Sequence, residues 1–347
     1  MSQIKNIKIY SDQKYLSKGE KFNATLIPFW SNFLDQTKDI DYERFDEYSK
    51  IGKEYFTLAS LSECDLAIWP GIYNENNPKI WEFLREAKKI NKPTVFFCSV
   101  DSDSDIKLDN GFIFRTSFYK SKQKENEFAL PAFCSDFTKK YFNGNIPFRE
   151  RKDIPTVGFC GQTFSPIRLF LKKIFRKGYH QTLWARPEAI KALMKENGFK
   201  SNLIIRSGFW GHVQTRSENI NLAQKQREEY VANLVNSDYA LCVRGSGNFS
   251  YRFYEALSMG RIPVFVNTDC VLPFEKYIDY KKICVWVEYD EIDKLPEKIL
   301  EFHNKLTNDE FIALQKRCYE TWKEWLSTEG FFKNFYRHFE ELIKFQQ

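Results

Sequence analysis

The chain has 347 residues, enough for two or three domains of ordinary size. Apolar residues make up 43% and charged residues 28%, a globular composition that excludes wholesale disorder. The net charge of +6 is too mild for a dedicated DNA-binding protein.

That charge is unevenly spread. Residues 1–150 carry 22 basic and 22 acidic side chains, residues 151–216 carry 13 and 3, and residues 217–347 carry 17 and 21. The positive excess is confined to the middle block. The N-terminus, MSQIKNIKIYSDQKY, has no apolar core of a secretory signal. No apolar run approaches the roughly 18 residues a membrane-spanning helix needs. Eight cysteines form no Cys-x-x-Cys pair, and several lie in apolar runs such as VFFCSV and KICVWV. They read as free buried thiols in a reducing compartment. The four histidines have no metal-ligand spacing, so a structural zinc site is not expected.

In chain order, strands are predicted at 4–10, 64–70, 93–100 and 111–117, with a helix at 77–90. Short apolar strands separated by helices imply parallel strands buried on both faces. Residues 143–155, with Gly, two Pro and charges, read as a linker. A second series follows: strands at 156–162, 202–209, 238–244, 262–267 and 282–287, and helices at 224–236 and 249–260, with basic helical segments up to about 197. Two helical runs, 308–327 and 331–345, close the chain around Gly330. The expected fold is α/β with two Rossmann-like, doubly wound domains: an acceptor domain over 1–150 and a nucleotide-binding domain over 151–307. The terminal helices, 308–347, are expected to cross back to the first domain. Such a pair places its ligand at the carboxyl ends of the strands, between the domains.

The most informative stretch is 237–280. A buried strand ends at Arg244, the loop Gly245-Ser246-Gly247-Asn248 follows, and a helix begins at once. A Gly-rich loop at a helix N-terminus turns backbone N–H groups toward an incoming anion. Arg244 and Arg252 flank it and suit a phosphate. Glu255, one turn beyond Arg252, suits a ribose diol. The loop also approximates a dinucleotide fingerprint, with Gly245, Gly247 and Ser250 in its three positions and Asp269 downstream. That match is weak, because such a fingerprint opens its domain and this one falls late in the second. The bland alternative is a glycine turn with Glu255 in an ion pair.

The run resembles the C-terminal signature of exostosin-family glycosyltransferases. It supplies Leu241-Cys242-Val243-Arg244-Gly245, then Ser250-Tyr251-Arg252-Phe253-Tyr254-Glu255-Ala256-Leu257, then Gly260-Arg261-Ile262-Pro263-Val264, then Leu272-Pro273-Phe274 and Ile278-Asp279-Tyr280. Upstream, Asn126 to Pro131 looks like the family's interdomain segment, and Thr156 to Gly161 like its following strand. The resemblance covers roughly 126–302 and implies a GT-B architecture with inverting transfer from a nucleotide-sugar, without a catalytic metal or other cofactor. It implies that Arg244, Gly245, Gly247, Asn248, Ser250 and Arg252 hold the donor diphosphate and that Glu255 holds the ribose or a nearby hydroxyl. The better-known animal and plant members are anchored in the Golgi membrane, whereas this chain shows no anchor. That points to a cytoplasmic, microbial enzyme of surface-polysaccharide synthesis, with a glycan or glycolipid acceptor and no nucleic-acid partner.

Inversion needs a general base, expected on a loop after a strand of the first domain. Asp12, Glu75, Asp101 and Asp103 are the candidates, each alternatively a solvated loop carboxylate. Asp101-Ser102-Asp103-Ser104-Asp105 also reads as a double Asp-x-Asp, a cation-binding pattern of the other major glycosyltransferase fold. The second α/β half argues against that fold. The basic run at 168–177, RLFLKKIFRK, suggests peripheral contact with the inner face of an anionic membrane, attraction of an anionic substrate, or simply a solvated helix face. A fucosyltransferase-like enzyme shares the strand, loop, Glu-bearing helix and Gly-x-Pro-Val step, but the Leu-Pro-Phe and Ile-Asp-Tyr elements favour the exostosin pattern. A binding module without catalysis would lack only the base. An oxidoreductase built on the Gly245 loop is the remotest reading.

Overall fold

The computed structural model describes residues 6–31, 39, 41–108, 111–163, 184–195, 198–206 and 220–338. The basic run 168–177 lies outside the described residues.

The first domain is a parallel sheet of β1 (Ile7–Tyr10), β2 (Phe56–Leu58), β3 (Leu66–Ile72), β4 (Thr94–Cys98), β5 (Phe112–Arg115) and β6 (Glu127–Ala129), in the spatial order β2-β1-β3-β4-β5-β6. The central strands are apolar throughout because helices cover both faces; every residue of TVFFC in β4 is buried. Helix Pro78–Lys89 shows how local sequence sets an element. Asn77 accepts the Lys79 N–H at the helix start, Pro78 supplies a preset φ, and Ile80, Phe83, Leu84 and Ala87 bury one face. The β3–β4 register shifts between Ile68 and Ile72, and Pro70 between them has no N–H to donate. The Pro70 carbonyl instead accepts from the backbone and side chain of Asn23.

The second domain repeats this plan with β7 (Thr156–Gln162), β8 (Lys200–Arg206), β9 (Tyr239–Cys242), β10 (Ile262–Asn267) and β11 (Val285–Glu288), ordered β11-β10-β9-β7-β8 and parallel at every pairing. In each sheet the order reverses once, between β1 and β3 and between β7 and β9. Such reversals leave crevices at the carboxyl ends of the strands. Two Rossmann-like sheets facing each other across a cleft constitute the GT-B architecture.

Strands β2 and β6 are absent from the sequence-based expectation. Each has three residues at a sheet edge, too short for a periodic signal. Residues 127–129, expected in an interdomain segment, thus complete the first sheet. The terminal helices also divide differently. The expected break at Gly330 lies at Ser327, whose hydroxyl accepts the Gly330 N–H to start helix Thr328–Lys333. Gly330 is needed for close approach: a Cβ there would lie 2.6 Å from the Lys323 carbonyl oxygen.

Beyond Ser327 the chain lies on the first domain. Phe332 stacks on Tyr48 at 4.4 Å, and Phe335 meets Phe56 and Phe114 at 5.7 and 5.2 Å. The preceding helix, Asn308–Thr321, packs on the second domain, where Phe311 meets Tyr239. One apolar cluster therefore runs through both domains. All eight cysteines are free, and all but Cys270 are buried. Among the described residues no helix is long and apolar enough to cross a membrane.

Candidate active site

A cavity of about 440 Å³ opens between the carboxyl ends of the two sheets. Its second-domain wall is formed by the end of β7 (Phe159 to Gln162), Arg186, Arg206 at the end of β8, Arg227 and Tyr230 on helix Ile220–Val235, and the turn from Gly245 to Glu255. Its first-domain wall contributes Asp39, Asp41, Arg44, Asp101, Phe133 and Cys134.

The structure brings Gly245, Gly247, Ser250, Arg252, Glu255 and Asp101 to this cavity. Arg252 is buried on helix Tyr251–Ser258, its guanidinium donating to the Cys160 carbonyl and to Asn233 Oδ1. It lies over the rings of Phe159 and Tyr230, 5.1 and 4.4 Å from their centroids. Glu255 is held at both oxygens: Arg227 Nη1 donates to Oε1 at 2.9 Å, and the Tyr230 hydroxyl donates to Oε2. The Asp101 carboxylate makes no hydrogen bond or ion pair with any described residue, and the residue is exposed.

Arg244 and Asn248 face the first domain instead. Arg244 donates to the Tyr119 hydroxyl at 2.7 Å, to Asp103 Oδ2 at 2.8 Å and to the Ser246 carbonyl at 3.1 Å. Tyr119 in turn donates to Asp103 at 2.7 Å. Burial alone would raise the Asp103 carboxyl, but Tyr119 and Arg244 outweigh it and hold Asp103 below the usual carboxylate range. Burial and the Asp103 charge push the Tyr119 hydroxyl up to about 12 against the opposing pull of Arg244. Asn248 donates its backbone N–H to Ser117 Oγ and its side-chain amide to the Phe118 and Asp269 carbonyls. Asp269, at φ +62°, accepts from the Ser121 backbone and hydroxyl. Lys120 pairs with Glu275 beside it. Asp103 and residues 117–121 are thus sewn to Arg244, Asn248, Asp269 and Glu275.

This contact changes the expected behaviour of the Gly-rich loop. The Gly245 N–H is bonded to the Phe249 carbonyl at 3.3 Å, and the Asn248 N–H is used across the domains. Gly247 lacks a side chain for a steric reason. A Cβ there would lie 2.7 Å from the Asp101 carbonyl oxygen and from the Phe249 ring. The loop is pressed against the first domain, so these N–H groups are already satisfied.

The remaining base candidates lie elsewhere. Asp12 accepts the Lys14 N–H at 2.9 Å as the cap of the short turn Gln13–Tyr15. Glu75 is exposed in the turn after β3. Neither lines the cavity. Within the Asp-rich run, Asp101 lines the cavity while Asp103 serves Arg244, so only Asp103 of the two is paired with a cation among the described residues.

Several cavity residues escaped the sequence reading. Arg227 is 1% exposed and bridges the domains, with Asp41 at 2.5 Å and Glu255 at 2.9 Å. Its sequence context, QKQREEYV, looks like the solvent face of an amphipathic helix. Asp41 sits in an acidic run with no motif. Arg44 pairs with Asp39 at 3.1 Å, and Arg206 with Glu229 at 3.0 Å. A helix-period count cannot reveal any of these, because each partner is distant in the chain.

The exostosin GT47 domain model matches residues 191–302, which hold the β9 loop, Arg227, Arg252 and Glu255. Residues 191–302 are thus similar to an exostosin GT47 domain. Exostosin-1 of Drosophila melanogaster is 28% identical over 119 residues, 34% of this chain and 15% of that protein. The exostosin-1 homolog of Caenorhabditis elegans is 34% identical over 74 residues, 21% of this chain and 19% of that protein. The matched stretch therefore spans less than a fifth of either curated relative. Among solved structures, a glycosyltransferase from Rickettsia africae ESF-5 is similar with a TM-score of 0.42 and 12% identity, over 85% of this chain and 87% of that one. The matched stretch supplies the second-domain wall from Arg206 onward, and residues outside it supply the wall opposite.

Proposed function

We propose that this protein is an inverting glycosyltransferase. It moves a sugar from a nucleotide-diphosphate donor, held on the second domain, to a hydroxyl of a glycan or glycolipid acceptor on the first. One observation carries the reading: the charges of the two cavity walls do not cancel. Arg44, Arg206 and Arg227 each have a carboxylate partner. Among the described residues Arg252 has none, and Asp101 on the opposite wall is paired with no cation. A buried cation lacking a counter-ion is poorly solvated until an anion arrives. A donor diphosphate meets that need, and a free carboxylate opposite can take a proton.

In this mechanism Asp101 accepts the acceptor hydroxyl's proton while that oxygen attacks the anomeric carbon. The bond from the anomeric carbon to the diphosphate oxygen breaks on the opposite face, so configuration inverts. Fixed guanidinium groups stabilise the departing charge without reorganising. Glu255 is pre-oriented by Arg227 and Tyr230 and keeps acceptor capacity for a ribose hydroxyl. The chemistry calls for no metal in the roles described.

The first test is a thermal-shift panel of UDP, GDP, ADP and their sugar conjugates at millimolar concentration. At least one should raise the melting temperature, and a panel without any shift would overturn the reading. With the donor found, Asp101→Asn should keep nucleotide affinity and lower turnover by about 10²- to 10⁴-fold. Unchanged turnover would remove Asp101 from the role of base. The anomeric configuration of the product, read by NMR, tests inversion directly.

A further inference from the structure

We propose that Arg186 binds the diphosphate, a dianion, of the donor, and that Arg244 acts as a positioning residue that holds the two domains together. The proposal rests on the donor reading above and assigns the charges within it.

Arg244 has its charge met already. Its side chain is 1% exposed and is bonded to Asp103, Tyr119 and the Ser246 carbonyl. It does not line the cavity. Freeing it for an anion would leave Asp103 without its cation and break the seam between residues 101–121 and the second domain.

Arg186 stands in the opposite condition. It lies in the first turn of helix Ala185–Lys195 and lines the cavity. Its Nη1 donates to the Gln162 carbonyl at 2.8 Å and its Nη2 to the Val243 carbonyl at 3.1 Å. Gln162 ends β7 and Val243 follows β9, so the guanidinium spans the crevice where the strand order reverses. That is where open α/β sheets bind ligands. No carboxylate pairs with it among the described residues, and its Nε is buried without a partner. A cavity-lining guanidinium with no carboxylate beside it calls for an anion.

Its neighbours sharpen the case. Arg186 and Arg252 both lie over the Phe159 ring, at 5.8 and 5.1 Å. The Gly245 position is so close that a Cβ there would sit 3.4 Å from Arg186 Nη2. Burial, then Arg252 and Arg244, push the Arg186 guanidinium down to about 10. Two adjacent guanidiniums lacking carboxylates fit a dianion, and the planar fork of each suits phosphate oxygens. The loop N–H groups at Gly245 and Asn248 are spent on other partners, which puts more of the charge on side chains. Arg186 lies outside residues 191–302, so the exostosin signature does not include it.

The test is calorimetric titration of the full chain with inorganic pyrophosphate, followed by competition with the best nucleoside diphosphate. Arg186→Gln should weaken pyrophosphate about 10- to 100-fold, the loss expected for charge-assisted bonds. Arg244→Gln should change affinity less than threefold, yet speed hydrogen exchange across 101–121; Arg244→Lys should restore that protection. Should Arg186→Gln not fold, Arg186→Lys against Arg244→Lys decides, with a loss of several-fold expected only for the former. Equal affinity in wild type and the Arg186 variants overturns the proposal, as does an equal loss in the Arg244 variants. If wild type binds neither pyrophosphate nor any nucleoside diphosphate, the donor reading itself falls.

Discussion

Replacing Arg227 by methionine separates two effects that the cleft combines. The guanidinium is buried and is shared by Asp41 of the first domain and Glu255 of the second, at 2.5 and 2.9 Å. Those carboxylates are 14% and 10% exposed, so water screens them little. Methionine fills most of the volume but leaves both carboxylates without their shared cation. Removing one partner of a buried ion pair typically costs about 3–5 kcal/mol. At roughly 2–4 °C per kcal/mol for a domain of 150–250 residues, the melting temperature should fall by about 6–20 °C. Asp41→Asn removes the cross-cleft bond and a looser pairing with Lys140 at 4.0 Å but leaves the Arg227–Glu255 pair, and should cost less, about 1.5–3 kcal/mol. Because both substitutions act on one network, they should not add. A double-mutant cycle followed by thermal and urea unfolding should show a coupling of about 1 kcal/mol or more. A fall below 2 °C for Arg227→Met, or strict additivity with Asp41→Asn, would refute the claim that this arginine joins the domains.

Gly247→Ala should open the cleft. The added Cβ meets the Asp101 carbonyl and the Phe249 ring at 2.7 Å, an overpacking that typically costs about 1–3 kcal/mol. Faster hydrogen exchange at 101–118 is the expected signature, and unchanged exchange with an unchanged melting temperature would discount the contact. His338 gives a pH signature. It is caged by Phe114, Phe128, Phe274 and Phe331, and burial, with Lys276 nearby, pushes it down to about 3. Between about pH 6.5 and 3 the unfolded chain then binds a proton that the folded chain refuses, so stability falls as pH falls through that window. The deficit should reach roughly 3 kcal/mol by pH 4. In His338→Leu this contribution is gone, so the variant's stability relative to wild type should rise steadily from pH 7 to 4. A difference that stays flat with pH would show that His338 is not held neutral.

Much of the fold was legible because its causes are local or periodic. Strand β4 is an apolar run because both its faces are covered, and helix Pro78–Lys89 carries its own cap, proline and apolar stripe. The spacing of Arg252 and Glu255 places both beside the cavity through one turn of helix. Where the expectation departed from the structure, the cause was distant in sequence. Gly330 looked like a helix break, but its small size answers to the approach of Lys323 and Glu324. Gly247 looked like a phosphate loop, but its small size answers to Asp101. Arg244 looked like an anion ligand, but Asp103 and Tyr119 lie 141 and 125 positions away in the chain.

The same division applies to the positive charge. Counting along the chain locates an excess within residues 151–216, and two of that block's arginines, Arg186 and Arg206, reach the cavity. Sequence alone determined the two α/β halves, the position of the signature and the stretch of the chain that is basic. Each follows from residues a few places apart. Only the tertiary structure decided which cations already have carboxylate partners and which carboxylate faces them unpaired. Electrostatic pairing depends on distances across the cleft, and the order of residues along the chain does not encode those distances.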